Sequence, residues 1–213
     1  IVECWYPGME GGAAIARTLF GDVNPSGKLP ITFPRSLADS PAHVSARTFP
    51  GDGHTVHYDE ELMVGYRHFD KHSIEPLFPF GHGLSYTDFE YSDLSVTNDC
   101  VTVEDSLQLR CVIRNSGDVA GSEVIQLYIY DQQPGDDRPP QSLKGFRKLC
   151  LQPGESSAVT LEVPIADLNI FCPHNNDWRA KPGRYTARVG SSSRDIRLET
   201  GFTIVAPDGG ATR

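Results

Sequence analysis

Phe78-Pro79-Phe80-Gly81-His82-Gly83-Leu84-Ser85-Tyr86-Thr87 decides how this chain is read. Backbone punctuation (Pro79, Gly81, Gly83) alternates with large apolar side chains (Phe78, Phe80, Leu84, Tyr86). Glycine opens positive φ and close backbone approach, while proline fixes φ and removes a donor. Such a loop holds one shape, and its aromatic rings must dock against something. It also separates two regions. Before it the sequence mixes helix and strand signals with a long irregular stretch; after it the pattern is strand throughout.

Downstream, from Phe89, the apolar period is two. Leu107, Leu109, Cys111 and Ile113 alternate with polar residues, as do Ile125, Leu127 and Ile129, then Val159, Leu161 and Val163, then Tyr185, Ala187 and Val189. Turn signals fall between them at Asn115-Ser116-Gly117, Pro134-Gly135-Asp136-Asp137, Pro153-Gly154 and Pro182-Gly183. Roughly seven short strands over about 115 residues predict an immunoglobulin-like or fibronectin-III-like sandwich. Tyr185, just after Pro182-Gly183, is the candidate tyrosine corner.

Upstream, residues 1–5 read as a strand and Glu10 opens a helix to about Phe20. Ile15 with Leu19, and Ala16 with Phe20, make i, i+4 pairs, and Gly21 stands at the αL position after the helix. Lys28–Phe33 reads as a second strand, completing a strand–helix–strand unit of an α/β domain. Residues 34–77 lack periodicity and are rich in Pro, Gly, Asp and His, which predicts a connector crossing a surface. The expected fold is therefore mainly β. Residues 1–35 end an α/β domain, 36–88 form the connector, 89–206 the sandwich and 207–213 a tail.

The chain has 213 residues and a formal net charge of −9. That balance argues against a nucleic-acid partner and gives no reason to expect an anionic membrane surface. No apolar run reaches the ~18 residues of a membrane span. Ile1-Val2-Glu3-Cys4-Trp5 looks like a strand entered in mid-course, so the chain reads as a fragment of a longer polypeptide. Cys4, Cys100, Cys111, Cys150 and Cys172 match no zinc spacing. Their odd number and the lack of an Asn-x-Ser/Thr sequon lean towards a reducing, cytoplasmic compartment, with secretion left open. A Cys100–Cys150 bridge also stays open.

Several stretches together resemble family 3 glycoside hydrolases, in particular β-glucosidases. They are Trp5–Gly12 (WYPGMEGG), Leu19–Pro30 (LFGDVNPSGKLP), Val64–Arg67 (VGYR) and Phe78–Tyr86. Val112–Glu123, Leu143–Phe146 (LKGF) and Leu151–Glu155 (LQPGE) resemble that family's terminal fibronectin-III-like domain. The resemblance implies a retaining β-glucosidase acting on terminal non-reducing β-D-glucosyl residues. It also implies that the nucleophilic Asp and the acid/base Glu lie upstream of these residues. This chain would then carry no catalytic residue, no cofactor site and no metal site, and alone would be inactive. Its partner would be the remainder of the same enzyme, and a homo-oligomer stays open. The same portion of a β-xylosidase, or a non-catalytic carbohydrate- or protein-binding sandwich, is the alternative.

Retaining glycoside hydrolysis needs two carboxyl groups about 5–5.5 Å apart. The local candidates are Glu10, Asp59, Glu60 and Glu61. Glu10 at a helix start reads as a dipole or capping residue, and Asp59-Glu60-Glu61 as a solvated run or a helix start. His54 and His57, near Asp52 and Asp59, could be read as metal ligands, but no further ligand falls at motif spacing. His82 reads as a packed residue. Trp5, Tyr6, Tyr58, Tyr66, Phe69 and Trp178 could stack on sugar rings or fill a seam between domains. Arg67 could pair with a carboxylate across such a seam.

Overall fold

The computed structural model describes residues 1–135, 138–172, 174 and 176–206. Two helices and ten strands follow in order. They are α1 (Gly11–Leu19), α2 (Tyr66–Lys71), β1 (Phe89–Val96), β2 (Cys100–Val101), β3 (Ser106–Asn115), β4 (Gly121–Asp131), β5 (Gln141–Leu151), β6 (Ser156–Pro164), β7 (Ile170–Cys172), β8 (Asp177–Arg179), β9 (Gly183–Gly190) and β10 (Ile196–Ile204). Short 3₁₀ turns occur at Leu37–Asp39, Pro41–His43 and Ile165–Leu168.

β1, β3 and β6 form one sheet, and β2, β10, β9, β4 and β5 the other. Every pair is antiparallel except the short parallel contact of β2 with β10. This is the three-against-four sandwich that the alternation predicts, with β2 added at one edge. The alternating residues of β3, β4, β6 and β9 are buried together in one core with Leu151, Phe202 and Ile204. Each buried Leu or Ile there is worth about 2–5 kcal/mol against truncation to Ala. The Tyr185 hydroxyl donates to the carbonyl of Lys181 at 2.8 Å, closing the tyrosine corner. β7 and β8 form a small hairpin outside both sheets. The turn at Asp136-Asp137 and the tail at 207–213 lie outside the described residues.

The α/β end differs from the sequence reading. α1 forms, and Gly21 follows it at φ +84 as expected. Residues 1–5, however, join no ladder among the described residues. Residues 29–33 run beside the Phe78–His82 stretch instead of beside a parallel strand. Leu29 N–H donates to His82 O and Gly81 N–H to Leu29 O, both at 2.8 Å, and Phe33 bridges Phe78. A strand exists only where a neighbour takes its backbone groups. The apolar side of α1 is likewise uncovered: Leu19 and Phe20 are exposed, as are Ile1, Tyr6 and Met9.

The proposed cysteine bridge does not form; all five thiols are free. Cys100 lies on β2 and Cys150 on β5, the opposite edges of the five-stranded sheet. Four strand spacings of about 4.8 Å separate them, against the roughly 4.4–6.8 Å between Cα atoms that a disulfide allows.

Candidate functional site

The organising feature is the seam between the chain before Thr87 and the outer face of the five-stranded sheet. Strand alternation sends Ile125, Leu127 and Ile129 into the core, so Gln126 and Tyr128 must face outward. Both are nevertheless buried, Tyr128 completely. Residues around Tyr66 and Phe80-Gly81 cover them. Tyr66 of α2 packs on Phe80 (5.0 Å between ring centroids) and edge-on to Tyr128 (5.8 Å), and its hydroxyl accepts from Leu143 N–H at 2.9 Å.

Two glutamines fasten this cover. The Gln126 amide donates to Gly81 O at 3.1 Å and to Ser191 O at 2.5 Å, and its oxygen accepts from the Tyr128 hydroxyl at 2.6 Å. Gln141 donates to Asp70 Oδ2 (2.7 Å) and Ser193 O (3.1 Å), and accepts from Arg188 (3.3 Å). Arg194 meets Asp70 Oδ1 at 2.9 Å. Burial raises the Asp70 pKa above the usual carboxylate value, with Gln141 and Arg194 opposing it.

A second fastening lies at the α/β end. Lys28 Nζ pairs with Glu123 at 2.8 Å, with side chains only 14% and 10% exposed. Asn24 donates to Ala120 O (3.0 Å) and accepts from the Ser85 hydroxyl (3.0 Å) and Tyr86 N–H (2.9 Å). Tyr86 donates to Thr18 O at 2.8 Å, tying the loop back to α1. His82 is half-buried and stacked on Phe78 at 5.5 Å. Burial, then the Lys28 charge, lowers its pKa, which favours the neutral ring.

The carboxylates singled out in sequence do not converge. Glu10 stands at the N-cap of α1, yet its side chain makes no capping hydrogen bond. Asp59 pairs with Arg47 at 3.1 Å on the surface, and Glu61 is exposed. The Asp52 carboxylate accepts from the backbone N–H of Thr55 and His54, which lowers its pKa. His57 contacts Arg47 at 3.2 Å. Among the described residues, no three His, Cys, Asp or Glu side chains cluster as metal ligands.

The aromatic candidates divide. Tyr66 is packed in the seam and Phe69 is buried. Trp5 leans on Phe33 at 6.2 Å but is half-exposed, and Tyr6 and Tyr58 are exposed. Trp178 pairs with Phe171 across the β7–β8 hairpin at 5.7 Å and is 63% exposed. Among the described residues Arg67 makes no ion pair; its guanidinium lies 6.0 Å from the Tyr66 ring.

Sequence reasoning missed Gln126, Gln141, Asp70, Arg194, Asn24 and Lys28. The period-two pattern did place Gln126 and Tyr128 on the second face of β4. What hid their role is that the cover comes from residues 45 positions or more away.

The geometry has relatives. Residues 1–86 match the glycosyl hydrolase family 3 C-terminal domain, and residues 123–193 the fibronectin type III-like domain. A β-glucosidase of Bacteroides ovatus is 42% identical over 206 residues, covering 96% of this chain and 28% of that protein. Thermostable β-glucosidase B of Acetivibrio thermocellus is 44% identical over 204 residues, covering 96% and 27%. β-Glucosidase 3B from Thermotoga neapolitana in complex with α-D-glucose has a TM-score of 0.82 at 45% identity, over 91% of this chain and 26% of that one. A Streptomyces venezuelae β-glucosidase in complex with D-glucose gives 0.87 at 37%, over 94% and 26%. The chain thus spans about a quarter of the length of the relatives it matches. Two family domains in the family's order, joined through the seam described above, carry the assignment: this chain belongs to glycosyl hydrolase family 3 and corresponds to the C-terminal part of its β-glucosidases.

Proposed function

We propose that this chain is the C-terminal scaffold of a retaining β-glucosidase that releases terminal non-reducing β-D-glucosyl residues. The nucleophile and the acid/base come from parts of the enzyme outside these residues. The observation that carries the reading is the pairing of a fastened seam with an unfastened face. The connector is held to the sandwich by buried polar contacts, while Ile1, Tyr6, Met9 and Phe20 stand exposed. Large apolar side chains left exposed in this way mark an interface. Its occupant is the rest of the same enzyme.

In this reading residues 1–35 complete the α/β domain, 36–88 connect, 89–206 form the sandwich and 207–213 are a tail. The partner is the enzyme's remaining domains, through which any β-glucoside is met. The two carboxyl groups that glycoside hydrolysis requires are not assigned to Glu10, Asp59, Glu60 or Glu61.

Incubating the isolated chain with an aryl β-glucoside tests this. No turnover above buffer is expected. Turnover that disappears on replacing one of those four carboxylates would overturn it.

A further inference from the structure

A polar cavity of about 380 Å³ opens where the α/β end, the Phe78–Thr87 loop and the sandwich meet. That volume is within the roughly 300–1,000 Å³ of small-molecule sites. Its walls come from separate parts of the chain, among them Ser26–Lys28, His82–Ser85 with Thr87 and Asp88, and Ser122-Glu123.

Several of its polar groups are left over from the fold's own hydrogen bonding. Among the described residues neither His82 ring nitrogen nor the Ser122 hydroxyl has a hydrogen-bond partner, yet both residues line the cavity. A neutral imidazole offers one donor and one acceptor, and a hydroxyl offers both. Lys28 spends two of its three protons on Glu123 (2.8 Å) and Gly83 O (3.4 Å). Glu123 Oε1 takes Lys28 and Val124 N–H, which leaves Oε2 without a hydrogen bond among the described residues.

The charges say which ligand fits. Glu123 is matched by Lys28, Asp195 by Arg197 at 2.6 Å and Glu90 by Arg114 at 3.3 Å, while Asp88 adds a carboxylate with no ion pair among the described residues. An anion would meet a net negative wall. A divalent cation would find no cluster of three ligands among the described residues. Mixed donors and acceptors without surplus positive charge suit vicinal hydroxyl groups. We propose that this cavity binds a neutral polyhydroxylated molecule, a free sugar or the end of a short oligosaccharide. The ligand bridges His82 on the loop to Ser122 on the sandwich.

The test is a ¹⁵N-resolved NMR titration of the 213-residue chain with D-glucose, with cellobiose and with inorganic phosphate. Saturable shifts at amides 26–28, 82–85 and 122–123 are expected, with a Kd of roughly 1–10 mM, the range of a few hydrogen bonds exchanged against water. Glucose binding alone identifies a free-sugar site; equal or tighter cellobiose binding identifies a chain-end site. His82→Phe, which keeps the stack on Phe78, is expected to weaken binding at least tenfold. Ser122→Ala serves as the second variant, and decides the matter should His82→Phe fail to fold. Linear, dispersed shifts, phosphate binding as tight as sugar, or affinity unchanged in both variants would each overturn the proposal.

Discussion

Gly81 and Gln126 touch so closely that a side chain on the first would collide with the second. A Cβ added to Gly81 would lie 2.2 Å from Gln126 Oε1, and Gly81 already sits at φ +81. The loop that divides the sequence and the sheet that carries the sandwich are therefore fitted to each other at one backbone position.

Gly81→Ala should destabilise the chain by about 2 kcal/mol or more, combining the left-handed backbone with displacement of a buried amide. Gly154→Ala is the control, since Gly154 has φ +76 but open space around it. Urea unfolding of both variants checks this. Equal losses would mean that backbone strain alone sets the cost and that the fit at Gln126 contributes nothing.

Removing one member of the Lys28–Glu123 pair leaves the other charge in a nearly closed site. Lys28→Met should cost about 2–4 kcal/mol, and the double change Lys28→Met with Glu123→Leu should recover part of it. A double-mutant cycle read by denaturant midpoint shows the coupling. Strict additivity would count against a pair that acts across the seam.

Tyr185→Phe removes only the hydroxyl bonded to Lys181 O. A loss of about 1–2 kcal/mol is expected, with the β9–β10 fold retained. Thermal melting and a one-dimensional proton spectrum would reveal whether the corner stabilises the sandwich or is incidental.

His68, buried in α2 beside His72, has its pKa lowered by burial first and by His72 second. The unfolded chain then takes up a proton at higher pH than the folded one. Stability should fall as pH drops below about 6.5, the unperturbed value. His68→Gln should flatten that part of the profile. An unchanged slope between pH 7.5 and 5 in the variant would place the sensitivity elsewhere.

Legibility in the sequence followed the range of the interactions. Alternation in β3, β4, β6 and β9 is a local property of residues two apart, so the core faces, the sandwich and the tyrosine corner were all readable. Lys28–Phe33 was legible as an extended segment but not as a partner of Phe78–His82, because extended backbone does not name its neighbour. The fastening by Gln126, Gln141 and Asp70 was not legible either. A glutamine on the second face of a strand looks the same whether water or a connector covers it.

Period and punctuation along the chain thus settled which residues turn inward and where the two regions divide, since both depend on backbone geometry over a few residues. Tertiary contact alone decided that the outer face of β4 is buried, that Gly81 must lack a side chain, and that Lys28 and Glu123 form a closed pair. Those outcomes rest on atoms brought together from 45 to 95 positions apart, and no local pattern encodes which distant group will satisfy a buried donor.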